Sequence, residues 1–473
     1  PLALSPSEDS LSLFVERIYN IEGFSPIIWV GKSLIENYIP TSIDPKDPSK
    51  LDIGPVNTTV TTNPVDGIRL RASLQTTANL NPHMFWRGYL AYGFRDQRWK
   101  GLGEVTYSFR RKAYLPMEFP VSNLTFTYSY DVSVPSDQYL TTDKDNVFMA
   151  FKWADVKHMT YDRSFKLVYD REWDYGLQWR AQLRHDMTEP TYKLFYQPVV
   201  NGIHYDAQGN YNPRPFGPGD GTSFSARNRR YLRTTDFSVL LQYQPGVAYI
   251  NTKQRRILVN KEAPIYRISH MAGLRGVWSD YTYNLTEVGV RKRVWLRSWG
   301  RMDFDFAAGA QWNRVPFPLL IMPRANLAYV YDDDMYYLVD NMEFLNDRYA
   351  QLMFNWSMNG KIFNRIPLFN RLKWREHVGF NILWGRLTDK NNPYLEENKT
   401  RTDLYYFPGE FNPDGSFRQQ SKVMDPQVPY VEAAFGIHNI FKLFHIDYVR
   451  RFTYLDDPRT TRWGIRFMAR VIF

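Results

Sequence analysis

The sequence predicts an all-β fold, a transmembrane antiparallel β-barrel of about 16 strands with a short helical N-terminal lead-in. Three observations carry that reading. Apolar and polar residues alternate strictly over segments of roughly ten residues, the length a tilted strand needs to cross a bilayer and about twice that of an average soluble strand. Aromatic residues make up 16% of the chain, with 33 Tyr, 31 Phe and 14 Trp, as expected where aromatic girdles sit at both lipid interfaces. Short turns alternate along the chain with long polar segments.

Composition narrows the options further. The 473 residues include no cysteine, which excludes disulfide frameworks, thiolate metal sites and cysteine nucleophiles. Hydrophobic residues are 44% of the total, yet mean hydropathy is only −0.48. No apolar run approaches the roughly 20 residues that a membrane helix requires. The net charge of +10 fits a basic lumen, basic loops or contact with an anionic lipid surface. No nucleic-acid-binding motif accompanies it. The chain starts at Pro1 without a signal peptide, so an upstream part is expected to have been processed or removed.

Residues 1–50 form the lead-in. Residues 9–21 (DSLSLFVERIYNI) have the spacing of an amphipathic helix, 29–39 (WVGKSLIENYI) of a second, and DPKDPSK at 44–50 is a polar linker. This segment is expected at the periplasmic mouth or inside the lumen as a partial plug. The barrel then occupies 51–473. Candidate strands lie near 52–62, 66–77, 83–95, 100–112, 121–133, 160–172, 174–187, 191–199, 230–243, 264–276, 283–298, 300–313, 348–360, 371–386, 429–438, 442–455 and 462–473. Single-chain bacterial barrels favour even strand numbers, so one of these is surplus, with 52–62 and 191–199 the weakest.

The last candidate shows the pattern in full. Trp463, Ile465, Phe467, Ala469, Val471 and Phe473 form one face; Arg462, Gly464, Arg466, Met468, Arg470 and Ile472 form the other. In a barrel the apolar row meets lipid and the arginines meet a wet lumen. The same alternation runs through Leu124–Val132, Leu177–Leu183, Phe304–Trp312, Leu352–Met358 and Ile68–Leu74. The long segments 134–159, 200–229, 314–347 and 387–428 are expected as extracellular loops, two of them rich in Gly, Asn and Pro.

The segment 51–109, beginning LDIGPVNTTV, resembles the barrel start of a large Bacteroidota outer-membrane family of unassigned function. EFLNDRYAQLMFNWSMNGKIFNRIPLFNRLKWREHVGFNILWG (343–385) and NIFKLFHIDYVRRFTYL (439–455), followed by RWGIRFMARVIF, extend that likeness. The resemblance implies a barrel usually preceded by a carboxypeptidase-regulatory-like domain. The C-terminal segments are also distantly similar to the superfamily of outer-membrane insertases and two-partner secretion translocators, whose barrels have 16 strands. Those proteins carry an Arg-Gly-Phe or Arg-Gly-Tyr motif on a long loop folded into the lumen. The corresponding loop here, 314–347, lacks it, Arg87-Gly88-Tyr89 falls within a strand, and POTRA domains are absent from the sequence. Shared architecture is therefore the safer implication than shared activity.

Candidate functional residues are few. Arg69, Arg71, Arg180, Arg184, Arg466 and Arg470 are expected to face the lumen, with Glu104 and Asp131 among their counter-charges. The lumen is then either an anion-leaning channel or a self-paired, closed interior. The run from Arg291 to Arg301 has two readings. Arg291, Arg293, Trp295, Arg297 and Trp299 either hold lipid phosphates at the membrane interface or form a luminal ladder against Asp303, Asp305 and Glu287. Phe473 is expected to mark the barrel for the assembly machinery.

Catalytic and metal chemistry have little support in the sequence. Ser269 and His270 are adjacent, so on a strand they point to opposite faces, and no GxSxG is present. Asp332, Asp333 and Asp334, and the Asp143–Asn146 segment, match no EF-hand spacing. None of the eight histidines forms a ligand motif in sequence; His438 and His445 are the nearest pair. No cofactor, metal or enzyme activity is expected. The expected partners are outer-membrane lipids and lipopolysaccharide, and other outer-membrane proteins or lipoproteins, with no nucleic acid. The leading expectation is an accessory or scaffold barrel in an outer-membrane protein assembly or export complex. A porin-like or gated solute channel is the alternative, and a barrel hydrolase the least favoured.

Overall fold

The computed structural model describes residues 36–42, 47–138, 143–154, 156, 158–192, 194, 196–199, 231–331, 334–411 and 417–469. Within them the regular secondary structure is almost entirely β. The strands are β1 (Ile39–Pro40), β2 (Leu51–Ile53), β3 (Val60–Asn63), β4 (Gly67–Thr76), β5 (Met84–Gly93), β6 (Trp99–Ser108), β7 (Ser122–Ser133), β8 (His158–Glu172), β9 (Leu177–Tyr192) and β10 (Leu232–Tyr243). They continue with β11 (Tyr249–Asn251), β12 (Arg256–Leu258), β13 (Ile265–Gly273), β14 (Asn284–Trp295), β15 (Arg301–Gln311), β16 (Arg348–Ser357) and β17 (Arg375–Arg386). The last are β18 (Gly409–Phe411), β19 (Phe417–Gln419), β20 (Tyr430–Ile440), β21 (Phe444–Arg451) and β22 (Trp463–Ala469).

Long strands pair antiparallel with their neighbours in sequence, from β4 through β10, then β13 to β17, then β20 to β22. β2 and β3 both pair with β4, at its opposite ends, and act as one interrupted strand. Counted that way, the meander has sixteen crossing strands among the described residues. β11–β12 and β18–β19 are separate hairpins.

Several details differ from the sequence reading. The candidate 52–62 is broken by a 3₁₀ turn at Val56–Thr58. Of the candidate 191–199, Thr191 and Tyr192 end β9, residues 193 and 195 lie outside the described residues, and Pro198 forms an isolated bridge to Tyr405. Of the expected helix at 29–39, residues 29–35 lie outside the described residues, as does the whole helix at 9–21, and Ile39 already belongs to β1.

Strand alternation places the four longest connections at one end of the sheet. The segments between β7 and β8, β9 and β10, β15 and β16, and β17 and β20 share this long-loop end; turns such as 173–176 and 441–443 share the other. The outer face carries an apolar belt across the middle of the strands. Leu70, Leu90, Phe126, Leu167, Leu183, Leu241, Ile268, Val288, Phe306, Phe435 and Ile465 are all exposed. Exposed rings rim this belt on both sides: Phe94, Trp99, Trp278, Trp312, Trp384 and Trp463 towards the long loops, Trp86, Phe109, Tyr175, Trp299 and Phe441 towards the short turns. A continuous apolar surface of this extent is incompatible with water, and two aromatic girdles flanking a band of aliphatic side chains define a transmembrane β-barrel.

The sheet is rolled up around its own loops. Gln254, between β11 and β12, donates to Asp52 at 2.7 Å and accepts from Gln75 at 2.7 Å, across some 200 residues of sequence. One buried cluster joins Val65, Val132, Tyr161, Leu327, Tyr336, Met353, Leu383 and Tyr430, uniting both ends of the meander.

Leu90 lies midway along β5 between Trp86 and Phe94 on the outer face and is 64% exposed. Leu90→Arg should lower unfolding stability in lipid vesicles by about 2–4 kcal/mol, as charge at the bilayer midplane does. A change within experimental error would mean that this face is wet. A closed barrel should also run faster on a gel unheated than boiled.

Candidate functional site

The lumen holds the chemistry, because inward positions alternate with the apolar outer row. Segment 312–347, between β15 and β16, folds into it. Ala325, Leu327, Ala328, Met335, Tyr336, Val339, Phe344 and Leu345 are all fully buried there. Its apolar content explains the placement: AYV, MYYLV and EFL have no other dry surface to meet.

Charged side chains from three successive strands hold this plug. Glu432 on β20 accepts the backbone N–H groups of Tyr337 (2.8 Å) and Leu338 (3.0 Å), the Asn381 amide (2.8 Å) and the Tyr430 hydroxyl (2.7 Å). Arg451 on β21 makes a two-pronged pair with Glu343 at 2.8 and 3.0 Å. Arg466 on β22 donates to the Tyr337 carbonyl at 2.6 Å and lies 4.5 Å from the Trp153 ring centre. A carboxylate that accepts backbone N–H groups, with guanidinium groups beside it, suits a loop that carries its own unpaired amides into a low-dielectric interior.

The plug also fills a seam. Among the described residues, β22 makes no ladder with β2 or β3. Its outer edge pairs instead with the plug: Val330 bridges Phe467, with Phe467 N–H donating to Tyr329 O (2.8 Å) and Tyr331 N–H donating to Phe467 O (2.9 Å). Ala328 in turn bridges Lys152, and Tyr329 N–H donates to Phe151 O at 2.9 Å. The adjoining 3₁₀ turn Val147–Ala150 packs beside β3. Val60, Phe148, Phe151 and Tyr329 are exposed and carry the apolar surface across this join.

Of the arginines expected in the lumen, Arg69, Arg71, Arg180 and Arg184 each pair with an aspartate, while Arg466 meets the Tyr337 carbonyl. Arg69 is fully buried among Asp66 (3.0 Å), Asp131 (2.6 Å) and Asp145 (3.0 Å). Arg71 meets Asp143 and Asp145 at 3.0 and 2.7 Å, and stacks 3.8 Å over Tyr89. The segment 143–146 is thus a set of counter-charges that ties its loop to β4. Arg180 pairs with Asp170 (2.6 Å) and Arg184 with Asp236 (2.9 Å). Glu104 pairs with Arg87 rather than with an arginine of the lumen set. Arg470 and Phe473 lie outside the described residues.

The two readings of the basic run separate by residue. Arg291 pairs with Asp305 at 2.5 Å and with Asp334 of the plug, and Arg293 pairs with Asp303 at 2.6 Å. Both belong to an inward ladder, because the β14–β15 register sets Arg291 opposite Asp305 and Arg293 opposite Asp303. Trp295, Arg297 and Trp299 sit at the short-turn end, where both tryptophans are exposed. Ser269 and His270 diverge, with His270 turned to Thr286 at 2.9 Å.

Sequence reasoning missed one group altogether. His377 on β17, His438 on β20 and Asp447 on β21 converge at the short-turn end of the lumen, all buried. His377 Nδ1 lies 2.8 Å from Asp447 Oδ1, and His438 Nε2 3.1 Å from both Asp447 oxygens. The two imidazoles stack at 4.1 Å, and His445 stands edge-on to His438 at 4.4 Å. The available signal was inward parity, since 436, 438, 445 and 447 all fall on the inner face. Adjacency of β17 to β20 was hidden by the long connection between them.

Removing one partner of a buried ion pair leaves an uncompensated charge. Arg451→Ala should therefore cost about 3–5 kcal/mol of unfolding free energy and open 312–347 to protease. Arg87→Ala, whose side chain is 57% exposed, should cost under about 1 kcal/mol. Equal effects in urea titrations of the two variants would refute the anchoring role of Arg451.

Comparison with curated proteins finds no match. Among solved structures, the chain is similar to BamA from Haemophilus ducreyi lacking POTRA domains 1–3, at 11% identity and a TM-score of 0.46, covering 88% of this chain and 69% of that one. It is also similar to CdiB from Acinetobacter baumannii (9% identity, TM-score 0.42, 86% of this chain and 57% of that one) and CdiB from Escherichia coli (10%, 0.44, 86% and 60%). The chain thus spans less than two thirds of either CdiB. A family model matches residues 40–398, most of the chain, and on that match the protein belongs to the family described as "Family of unknown function (DUF5686) C-terminal domain".

Proposed function

We propose that this chain is an integral bacterial outer-membrane barrel that serves, without enzymatic activity, as an accessory or scaffold subunit of an outer-membrane protein assembly or export complex. The observation that supports this most is the seam. An unpaired strand edge in hydrocarbon costs several kcal/mol per open backbone group, and an open edge is also the template on which a second chain adds a strand. Here a loop, not a neighbouring strand, covers the edge of β22. Such a cover can be exchanged for a client or partner strand without breaking the meander. The aromatic girdles support the membrane setting, with long loops extracellular and short turns periplasmic. Lipids, lipopolysaccharide and other outer-membrane proteins or lipoproteins are the partners this reading implies. Residues 1–50 act in it as a periplasmic or luminal lead-in.

A gated solute channel is the second reading, favoured by the row of half-buried inward cations Arg184, Arg267 and Arg291 on β9, β13 and β14. In that reading the plug withdraws to open a path.

Because the native chain has no cysteine, a single engineered disulfide tests both. Val330→Cys with Phe467→Cys should lock the plug to β22. Gentle-detergent purification with cross-linking is expected to recover the reduced protein with an assembly or export component. Oxidation should remove contacts made at the seam. Recovery of the barrel alone, together with steady planar-bilayer conductance that oxidation abolishes, would replace the assembly reading with the channel.

A further inference from the structure

The geometry points to a binding site for a divalent transition-metal ion, of the Zn²⁺ class, formed by His377, His438 and Asp447 at the short-turn end of the lumen. The inference depends on the barrel fold alone and is independent of the proposed role in assembly.

Three features carry it. The first is the donor set. Two imidazole nitrogens and one carboxylate oxygen lie within 4.8 Å of one another. Ligands about 2.0–2.2 Å from one ion stand roughly 3–3.5 Å apart, so the observed 2.8 and 3.1 Å contacts need only a small outward movement to admit it. Two histidines and a carboxylate suit a first-row divalent ion and leave further positions open.

The second is charge. Asp447 is buried, with 2% of its side chain exposed, and its contacts here are with imidazoles rather than with Arg or Lys. A carboxylate desolvated to that degree needs a positive partner. A bound divalent ion supplies one and keeps both histidines neutral, the form in which they ligate.

The third is construction. Gly436 stands directly across from Asp447 in the β20–β21 register. A Cβ at 436 would come within 1.8 Å of Asp447 Oδ1, so glycine here is what lets the carboxylate lean across β20 towards both rings. His445 walls the site at its edge, and Tyr331 Oη of the plug lies 3.5 Å from His438 Nε2. An ion at this point sits beside the segment that fills the seam.

The test uses the full chain refolded in detergent, stripped with chelator and titrated with Zn²⁺. Calorimetry, with elemental analysis after dialysis, should report one ion per chain at micromolar affinity or tighter and a raised Tm, since a ligand that binds only the folded state stabilises it. The H377A/H438A double variant, and separately D447N, should weaken binding at least ~10-fold, with folding verified by heat-modifiable gel migration. H83A/H270A should bind as the native chain does. Should the double variant fail to fold, Co²⁺ loaded into the native protein gives an independent readout: absorption bands of a nitrogen and oxygen ligand field are expected, and the bare aqueous spectrum would overturn the site. Zn²⁺ uptake that survives in H377A/H438A would likewise overturn it, as binding elsewhere on the chain.

Discussion

Everything in this molecule follows from one constraint: in hydrocarbon, each backbone N–H and C=O must find a partner within the protein. Sequential antiparallel pairing satisfies it for the interior of the meander, where neighbours in sequence are neighbours in space. The constraint bites at the two ends, where the first and last strands have an edge each. Here the edge of β22 is met by residues 329–331 rather than by β3, and a second loop segment at 147–153 continues towards β3. The plug is therefore part of the wall as well as the contents of the lumen.

That double duty explains the density of charge around the plug. A loop entering a barrel brings amides and carbonyls that no strand pairs. Glu432 meets the amides of Tyr337 and Leu338, and Arg466 meets the Tyr337 carbonyl, so one turn of the plug is held by opposite charges from strands two apart. Net charge is a poor guide to such an interior. The surplus of cations is not spread as free charge along the inner wall, because Arg69, Arg71, Arg184, Arg291 and Arg293 each find an aspartate within 3.0 Å. Ion pairs that both fasten loops and neutralise the wall also set the energy needed to move those loops.

The inner wall is divided by depth. Towards the long loops, buried acid–base pairs grip the plug and the segment 143–146. Towards the short turns, imidazoles replace guanidinium groups around Asp447, and the wall changes from a set of clamps to a compact donor cluster. Both regions draw on β20 and β21, so whatever displaces the plug acts on the same strands that present the histidines.

The sequence by itself determined the class of fold and the alternation that separates the apolar rows from the face carrying Arg69, Arg71, Arg180, Arg184 and Arg466. These are consequences of a period of two, which any strand imposes on its side chains whatever its neighbours. It also identified 314–347 as a long loop, but not its place inside the barrel. Only the tertiary structure decided which inward residues meet. Strand pairing across the 43-residue connection 387–429 brings His377 to His438, and the β14–β15 register turns Arg291 and Arg293 towards aspartates rather than lipid phosphate. Closure of the seam was equally beyond one-dimensional pattern: an edge is defined by the strand that is missing beside it, and which segment covers that edge depends on where a loop can reach in three dimensions.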